Sequence, residues 1–228
     1  YTSGTGDVTK NDVTVTDGTV TGDVRGGHTA GAGNVSENAA RITGGTVTGD
    51  VSGGYTAGTG DVTKNDARIT GGSVTGDVRG GYTTGAGNVS ENDVAVTGGT
   101  VTGNVYGGYT TGTGDVTGGS VTLTGGTITG DVYGGYTTGT GATTGNTVNL
   151  GNDGRARMRR DTTSLTPSMA DGTNLSAVTL YGGSNAGDVT GNTLNVYAKG
   201  VTVKSARNFD KYVFHVKDDT ATSDPAVT

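Results

Sequence analysis

Along residues 71–97, apolar and polar residues alternate in two short runs separated by glycine. In "SVTGDV", Val74, Gly76 and Val78 share one parity, and Ser73, Thr75 and Asp77 share the other. A period of two marks a strand with one buried face, here the Val face. "RGGY" and "TTGAGN" follow, and paired Gly signals a turn or a close approach of two backbones. A second run sets Asn92, Val94 and Val96 inward, with Glu91, Asp93, Ala95 and Thr97 outward, before "GG" closes the unit. No apolar stripe recurs every 3.6 residues, and Gly, Thr and Val dominate, so a helix is not expected.

The unit repeats. The G-x-V/I-T-G motif recurs from Asp17, Gly44, Gly71, Gly98 and Gly125 in steps of 27 residues. Residues 1–16 match the second part of a unit, as expected of a piece that starts inside a repeat. A period of this size belongs to stacked architectures, in which one unit cannot bury its own apolar face but its neighbours cover it. Parallel, in-register strands about 4.8 Å apart would do so. A left-handed hexapeptide helix needs a multiple of six per coil, which 27 is not. The pattern therefore predicts an all-β chain: a right-handed parallel β-helix, or β-solenoid, with one 27-residue repeat per coil over 1–151. An excursion loop is expected at 152–176, and divergent terminal coils or a cap at 177–228. A trimeric β-prism built from the same strands is the rival.

In-register stacking turns sequence positions into columns. Lys10, Glu37, Lys64 and Glu91 become neighbours of alternating sign, within a 54-residue super-repeat. Asn11, Asn38, Asn65 and Asn92, then Gly119, Asn146 and Asn192, form a column whose amides can hydrogen-bond as a structural ladder. Tyr1, Tyr55, Tyr82, Tyr109 and Tyr136, with His28 in one coil, form an aromatic column at a corner, read as packing.

Composition narrows the function. The 228 residues include 47 Gly and no Cys, and only 30% are hydrophobic, so the core is thin and no disulfide exists. Disorder is not expected, because Gly and Val recur on a strict period. A net charge of −6 argues against nucleic acid or anionic membrane as main partners. No stretch is apolar enough to span a bilayer, and no signal peptide is visible.

Catalytic chemistry has little to stand on. The only histidines are His28 and His215, so neither a Ser–His–Asp set nor a metal spacing of His and Cys can be argued. "GAGN" and "GTGD" look like phosphate loops but precede no helix. Asp23, Asp50, Asp77 and Asp131 line one outward column, with Asn104 among them, and a corner column alternates Asp7, Asp61 and Asp115 with Asn34 and Asn88. These read as solvated charge first and as weak calcium ligands second, one carboxylate per coil being a poor cage. No cofactor is expected. The loop carries Arg155, Arg157, Arg159 and Arg160, a candidate contact for an acidic partner.

The Gly-rich units, followed by "TGNTLNVYAKGVTVKSARNFDKYVFHV", resemble passenger regions of large bacterial autotransporters. The matching elements are an N-x-L-x-V strand at Asn192, Leu194 and Val196, and an NF..Y.F element at Asn208, Phe209, Tyr212 and Phe214. The resemblance implies a β-helix at the bacterial cell surface or outside it, exported through the outer membrane by a C-terminal β-barrel. It also implies adhesion or aggregation: binding to a host-cell or matrix glycan or protein, or self-association, with no membrane insertion of this segment. Ice binding is the alternative, through the outward pairs Thr19/Thr21, Thr46/Thr48, Ser73/Thr75, Thr100/Thr102 and Thr127/Thr129. A polysaccharide-active enzyme ranks third, because catalytic sites are singular and these features are repeated.

Overall fold

The computed structural model describes residues 1–151, 173–183, 189–198 and 200–215. The described residues contain strands and no helix. Strands pair in parallel with the same position one repeat later: Val8 with Val35, Asp12 with Ala39, Val24 with Val51. Each repeat thus makes one turn and lies on the next, giving a β-solenoid of about six turns. Every turn supplies all of its own walls, so the prism is not the architecture.

A turn has four strand segments. In the second, Thr46–Val47 and Asp66–Ile69 join an eleven-stranded sheet, Val51–Thr56 a seven-stranded sheet and Val62–Thr63 a six-stranded sheet. Val47, Val74, Val101 and Ile128 point into the core as expected, and Val20 in the first turn is partly buried against it. Ala95, placed on the outward parity, is only 1% exposed. It pairs with Arg68 and Thr122, and its methyl lies below the reach of these longer side chains.

The core has two lobes. The larger holds Val51, Ala67, Ile69 and their column neighbours. The smaller is a single stack of Val35, Val62, Val89 and Val116. Between them the walls nearly touch. The glycine pair of each "GGY" is not a turn; it lies mid-strand, as in Val78–Thr83. A Cβ on Gly80 would stand 2.5 Å from the Gly107 carbonyl oxygen, and one on Gly81 would stand 2.5 Å from Asn92 Cγ. Both positions face crowded backbone or side chain, and only Gly fits. The pairing steps from Arg79↔Tyr106 to Gly81↔Gly108, passing over the first Gly. The alternation therefore flips, and Arg79 and Tyr82 emerge on the same outer face.

Opposite this waist runs the Asn ladder. The Asn38 backbone N–H and Nδ2 both donate to Asn65 Oδ1 at 3.0 Å. Asn65 donates likewise to Asn92 Oδ1 at 2.9 and 3.0 Å, and Asn146 to Asn192 Oδ1 at 2.8 and 3.1 Å. Asn65 Nδ2 also reaches the carbonyls of Val35 and Thr63. Asn38, Asn65, Asn92, Asn146 and Asn192 are fully buried, and Asn11 starts the column at the first turn. An amide suits the place because it carries donor and acceptor together. The residue before each position of this column makes a left-handed corner: Lys10, Glu37, Lys64 and Glu91 at φ 54–59°, Gly118, Gly145 and Gly191 at 62–74°. The four charged residues occupy successive turns of one column, Lys10 N–H donating to Ser36 O and Glu37 N–H to Thr63 O.

Gly151 N–H still donates to Leu123 O, and farther along the chain Asn174 bridges to Thr127. Leu180 pairs with Val132 and Thr193 with Thr147, a corner two residues shorter than in the repeats. The last described turn, Ser205–Arg207 to Lys211–Phe214, omits the Gly-rich corner altogether. Phe209 stands there instead, 9% exposed and close to Gly182.

Two expectations follow from the waist and the corners. A Cβ on Gly58 would fall on the Gly31 carbonyl, whereas one on Gly6 meets nothing within 4 Å. Gly58→Ala should cost about 1–3 kcal/mol or more, and Gly6→Ala little, as read by chemical denaturation. Asn65→Asp would aim a buried carboxylate at three acceptors, which raises its folded-state pKa. Its penalty, roughly 3–5 kcal/mol at neutral pH, should shrink as pH falls toward the unfolded value of about 3.9, where the acid regains a donor. Equal destabilisation at both pH values would contradict this role.

Candidate interaction surface

The parity flip at the glycine pair builds the outer face of the seven-stranded sheet. Two columns stand side by side on it. One runs Arg25, Ser52, Arg79, Tyr106, Tyr133, Tyr181 and Arg207; the other runs His28, Tyr55, Tyr82, Tyr109 and Tyr136. The aromatic column therefore lies on a strand face rather than at a corner. Ring centroids are 5.0 Å apart for Tyr55–Tyr82 and Tyr82–Tyr109, 4.9 Å for Tyr106–Tyr133 and 4.6 Å for Tyr133–Tyr181. Tyr106 also stacks on Tyr109 at 5.0 Å and knits the columns together. Stacking along the axis turns ring faces toward one another and ring edges outward.

Beside the rings runs the Asp column, and it is not simply solvated charge. The oxygens Oδ1 of Asp23, Asp50 and Asp77 accept the backbone N–H of Asp50, Asp77 and Asn104 at 2.8 Å. Asn104 Oδ1 serves Asp131 in the same way, and Asp131 serves Thr179. The corner column does likewise: Asp7, Asn34, Asp61, Asn88 and Asp115 each accept the N–H of the next turn at 2.8–3.0 Å. In the corner column Asp and Asn alternate, and either one supplies the acceptor oxygen.

The second carboxylate oxygens hold arginine. Arg79, 6% exposed, places Nη1 2.6 Å from Asp50 Oδ2 and Nη2 2.5 Å from Asp77 Oδ2. Its guanidinium lies 4.8 Å from the Tyr82 ring centroid and 5.3 Å from that of Tyr109. Arg25 repeats the arrangement with Asp23 and Tyr55. Three of the four calcium candidates, Asp23, Asp50 and Asp77, thus spend both oxygens on protein donors. Among the described residues no group of three or more His, Cys, Asp or Glu is placed to hold a metal. Burial, and then the Asp77 carboxylate, hold the Tyr106 phenol well above its ordinary pKa; burial and Asp131 do the same for Tyr133.

Elsewhere, the Thr pairs stand on the outer side of the eleven-stranded sheet. Thr48, Thr75, Thr102 and Thr129 are exposed, while Thr46, Ser73, Thr100 and Thr127 are half-buried. His28 packs between Tyr1 and Tyr55, and His215 stacks on Tyr197. Arg155, Arg157, Arg159 and Arg160 lie outside the described residues. The doubled aromatic column was missed in the sequence because Tyr106 and Tyr133 sit three residues from Tyr109 and Tyr136, an odd spacing that strand alternation puts on opposite faces. Comparison with protein-family models, curated proteins and solved structures finds no match to this chain.

Removing the central cation should be felt. Arg79→Ala leaves two stacked carboxylates facing each other beside partly uncovered rings. A loss of about 1–3 kcal/mol is expected, limited by the solvent that reaches Asp50, and denaturant titration measures it. The tyrosines predict alkaline lability. Above about pH 10 the unfolded phenols ionise while folded Tyr106 and Tyr133 keep their protons. Stability is then present below that pH and falls as pH rises through it. An unfolding midpoint unchanged between about pH 9 and about pH 11 would refute the burial of these phenols.

Proposed function

We propose that this chain is a structural and adhesive β-solenoid from the passenger of a bacterial autotransporter, displayed at the cell surface. It acts by binding rather than by catalysis. The observation that carries the reading is the outer face of the seven-stranded sheet, where tyrosine hydroxyls and ring edges recur turn after turn. A repeated shallow face suits many weak contacts with an extended host-cell or matrix glycan or protein, and avidity then replaces a deep pocket. The resemblance of the closing NF..Y.F segment to passenger regions supports the setting.

A second reading, ice binding, is favoured by one observation: the Thr columns lie in register on a surface strip that carries no charge from Thr43 to Gly49 or from Thr70 to Gly76. Two assays separate the readings. Tyr109→Ser combined with Tyr136→Ser should abolish retention on matrix proteins or host-cell glycans while circular dichroism stays unchanged. Undiminished retention would sink the aromatic face as the adhesive surface. Thermal hysteresis that vanishes on Thr75→Tyr would instead establish the Thr strip.

A further inference from the structure

The rings of the two tyrosine columns differ in their surroundings. Arg79 places its guanidinium 4.8 Å from the ring centroid of Tyr82, 5.3 Å from that of Tyr109 and 5.7 Å from that of Tyr106. Tyr106 is also buried, at 7% exposure. Farther along the column no arginine intervenes. Tyr133 stands where Arg79 stands two turns earlier, and Tyr181 follows it in register. Their ring centroids are 4.6 Å apart and their planes 6° from parallel, the shortest separation and the smallest tilt among the described tyrosine pairs. Both residues are half-buried, and Arg207, next in the column, is exposed.

The carboxylate of this turn differs too. Asp50 and Asp77 give Oδ2 to Arg79, whereas Asp131 shares its turn with Tyr133. Asp131 Oδ1 accepts the Thr179 N–H at 3.0 Å, and its charge acts on the Tyr133 phenol. A phenol that gives up an electron becomes strongly acidic, and a carboxylate beside it is the base that takes the proton. The pair also spans an unusually long stretch of chain. Tyr106 and Tyr133 lie on successive turns 27 residues apart, but Tyr181 follows Tyr133 by 181 − 133 = 48 residues. A covalent bond here would constrain the unfolded chain more than one between ordinary repeats, because closure entropy grows with loop length.

We propose that Tyr133 and Tyr181 form a modification site, at which one-electron oxidation joins the two rings into a dityrosine that staples successive turns of the solenoid. The co-reactant is a peroxide-driven one-electron oxidant of the haem peroxidase class. Each phenol loses one electron to it and one proton, that of Tyr133 to Asp131 and that of Tyr181 to water. The two phenoxyl radicals couple through a carbon ortho to each hydroxyl, and one C–C bond forms. Each ortho carbon then releases its hydrogen as a proton while a proton returns to each oxygen, which restores both phenols. The pair has lost two hydrogens, and one hydrogen peroxide has taken up two electrons and two protons to become two waters. A radical formed elsewhere in the stack reaches this pair by electron exchange between neighbouring rings. It settles here because the Arg79 charge opposes removal of an electron from Tyr82, Tyr106 or Tyr109. The site stands on the ring geometry, whether or not the face is adhesive.

The test treats the full chain with a haem peroxidase and hydrogen peroxide at low protein concentration. The monomer is then isolated by size exclusion, digested and mapped by mass spectrometry. Dityrosine fluorescence should appear in the monomer, and the main cross-link should join Tyr133 to Tyr181 with the loss of two hydrogens. The stapled chain should unfold at a higher denaturant concentration than the untreated chain. Tyr181→Phe should remove this product and leave circular dichroism unchanged. Asp131→Asn keeps an acceptor for the Thr179 N–H, as Asn104 provides one for Asp131, but supplies no base, so cross-linking should slow several-fold. A monomer without dityrosine, or a main product at another tyrosine pair, would overturn the proposal. An Asp131→Asn chain that cross-links at the wild-type rate would overturn the route assigned to the proton. Loss of matrix binding with the cross-link intact would count against the adhesive reading only.

Discussion

The closeness of the two walls at the waist governs this molecule. Where the glycine pair meets the Asn column, no Cβ can be admitted on one side and nothing larger than an amide is seen on the other. That distance forces two consecutive inward glycines. The pair reverses strand parity, and the reversal brings Arg79 and Tyr82 to one outer face. The waist also divides the core, so that a lone Val stack fills the smaller lobe. A wider section would need more apolar bulk than a chain with 30% hydrophobic residues supplies.

With so thin a core, polar ladders carry much of the specification. Three columns of Asx side chains link each turn to the next, one inside and two outside. The inside ladder is the demanding one. Its members are fully buried, and an amide there that lost its partners would bear the whole cost of desolvation. The outer ladders are permissive: either Asp or Asn supplies the acceptor oxygen, and charge is tolerated because water, backbone N–H groups or arginine answer it. This accounts for Asn, broken by Gly119, inside and mixed Asp and Asn outside within a single chain.

Much of this is legible in the sequence. The 27-residue step, the inward Val columns and the Asn ladder followed from alternation and period. The roles hidden from the sequence share a cause: they belong to residues whose side chains say little about direction. The glycine pair has no side chain to mark a face, so its parity reversal was invisible, and with it the doubled aromatic column. The left-handed corner was masked by Lys10, Glu37, Lys64 and Glu91, which do not favour positive φ; Gly118, Gly145 and Gly191 in the same column were the available clue. The Asp columns were read by their charge, although the interchange with Asn34, Asn88 and Asn104 already pointed to the oxygen.

The ladders also differ in direction, and this bears on why the stack keeps its register. Inside, each turn donates N–H and amide hydrogens to the Oδ1 of the following turn. Outside, each turn offers its own Oδ1 to the N–H of the following turn. Every junction is thus keyed by donors on one wall and acceptors on another. A slip of one residue would break both kinds of bond and turn the Val columns outward together. The interruption of the inner ladder among the described residues, at Gly119, removes a side-chain acceptor but not the junction: Gly119 N–H still donates to Asn146 Oδ1, and Asn92 Nδ2 keeps the carbonyls of Val62 and Ser90. Redundancy among the three ladders therefore lets a single turn lose its amide while the neighbouring turns hold it in register.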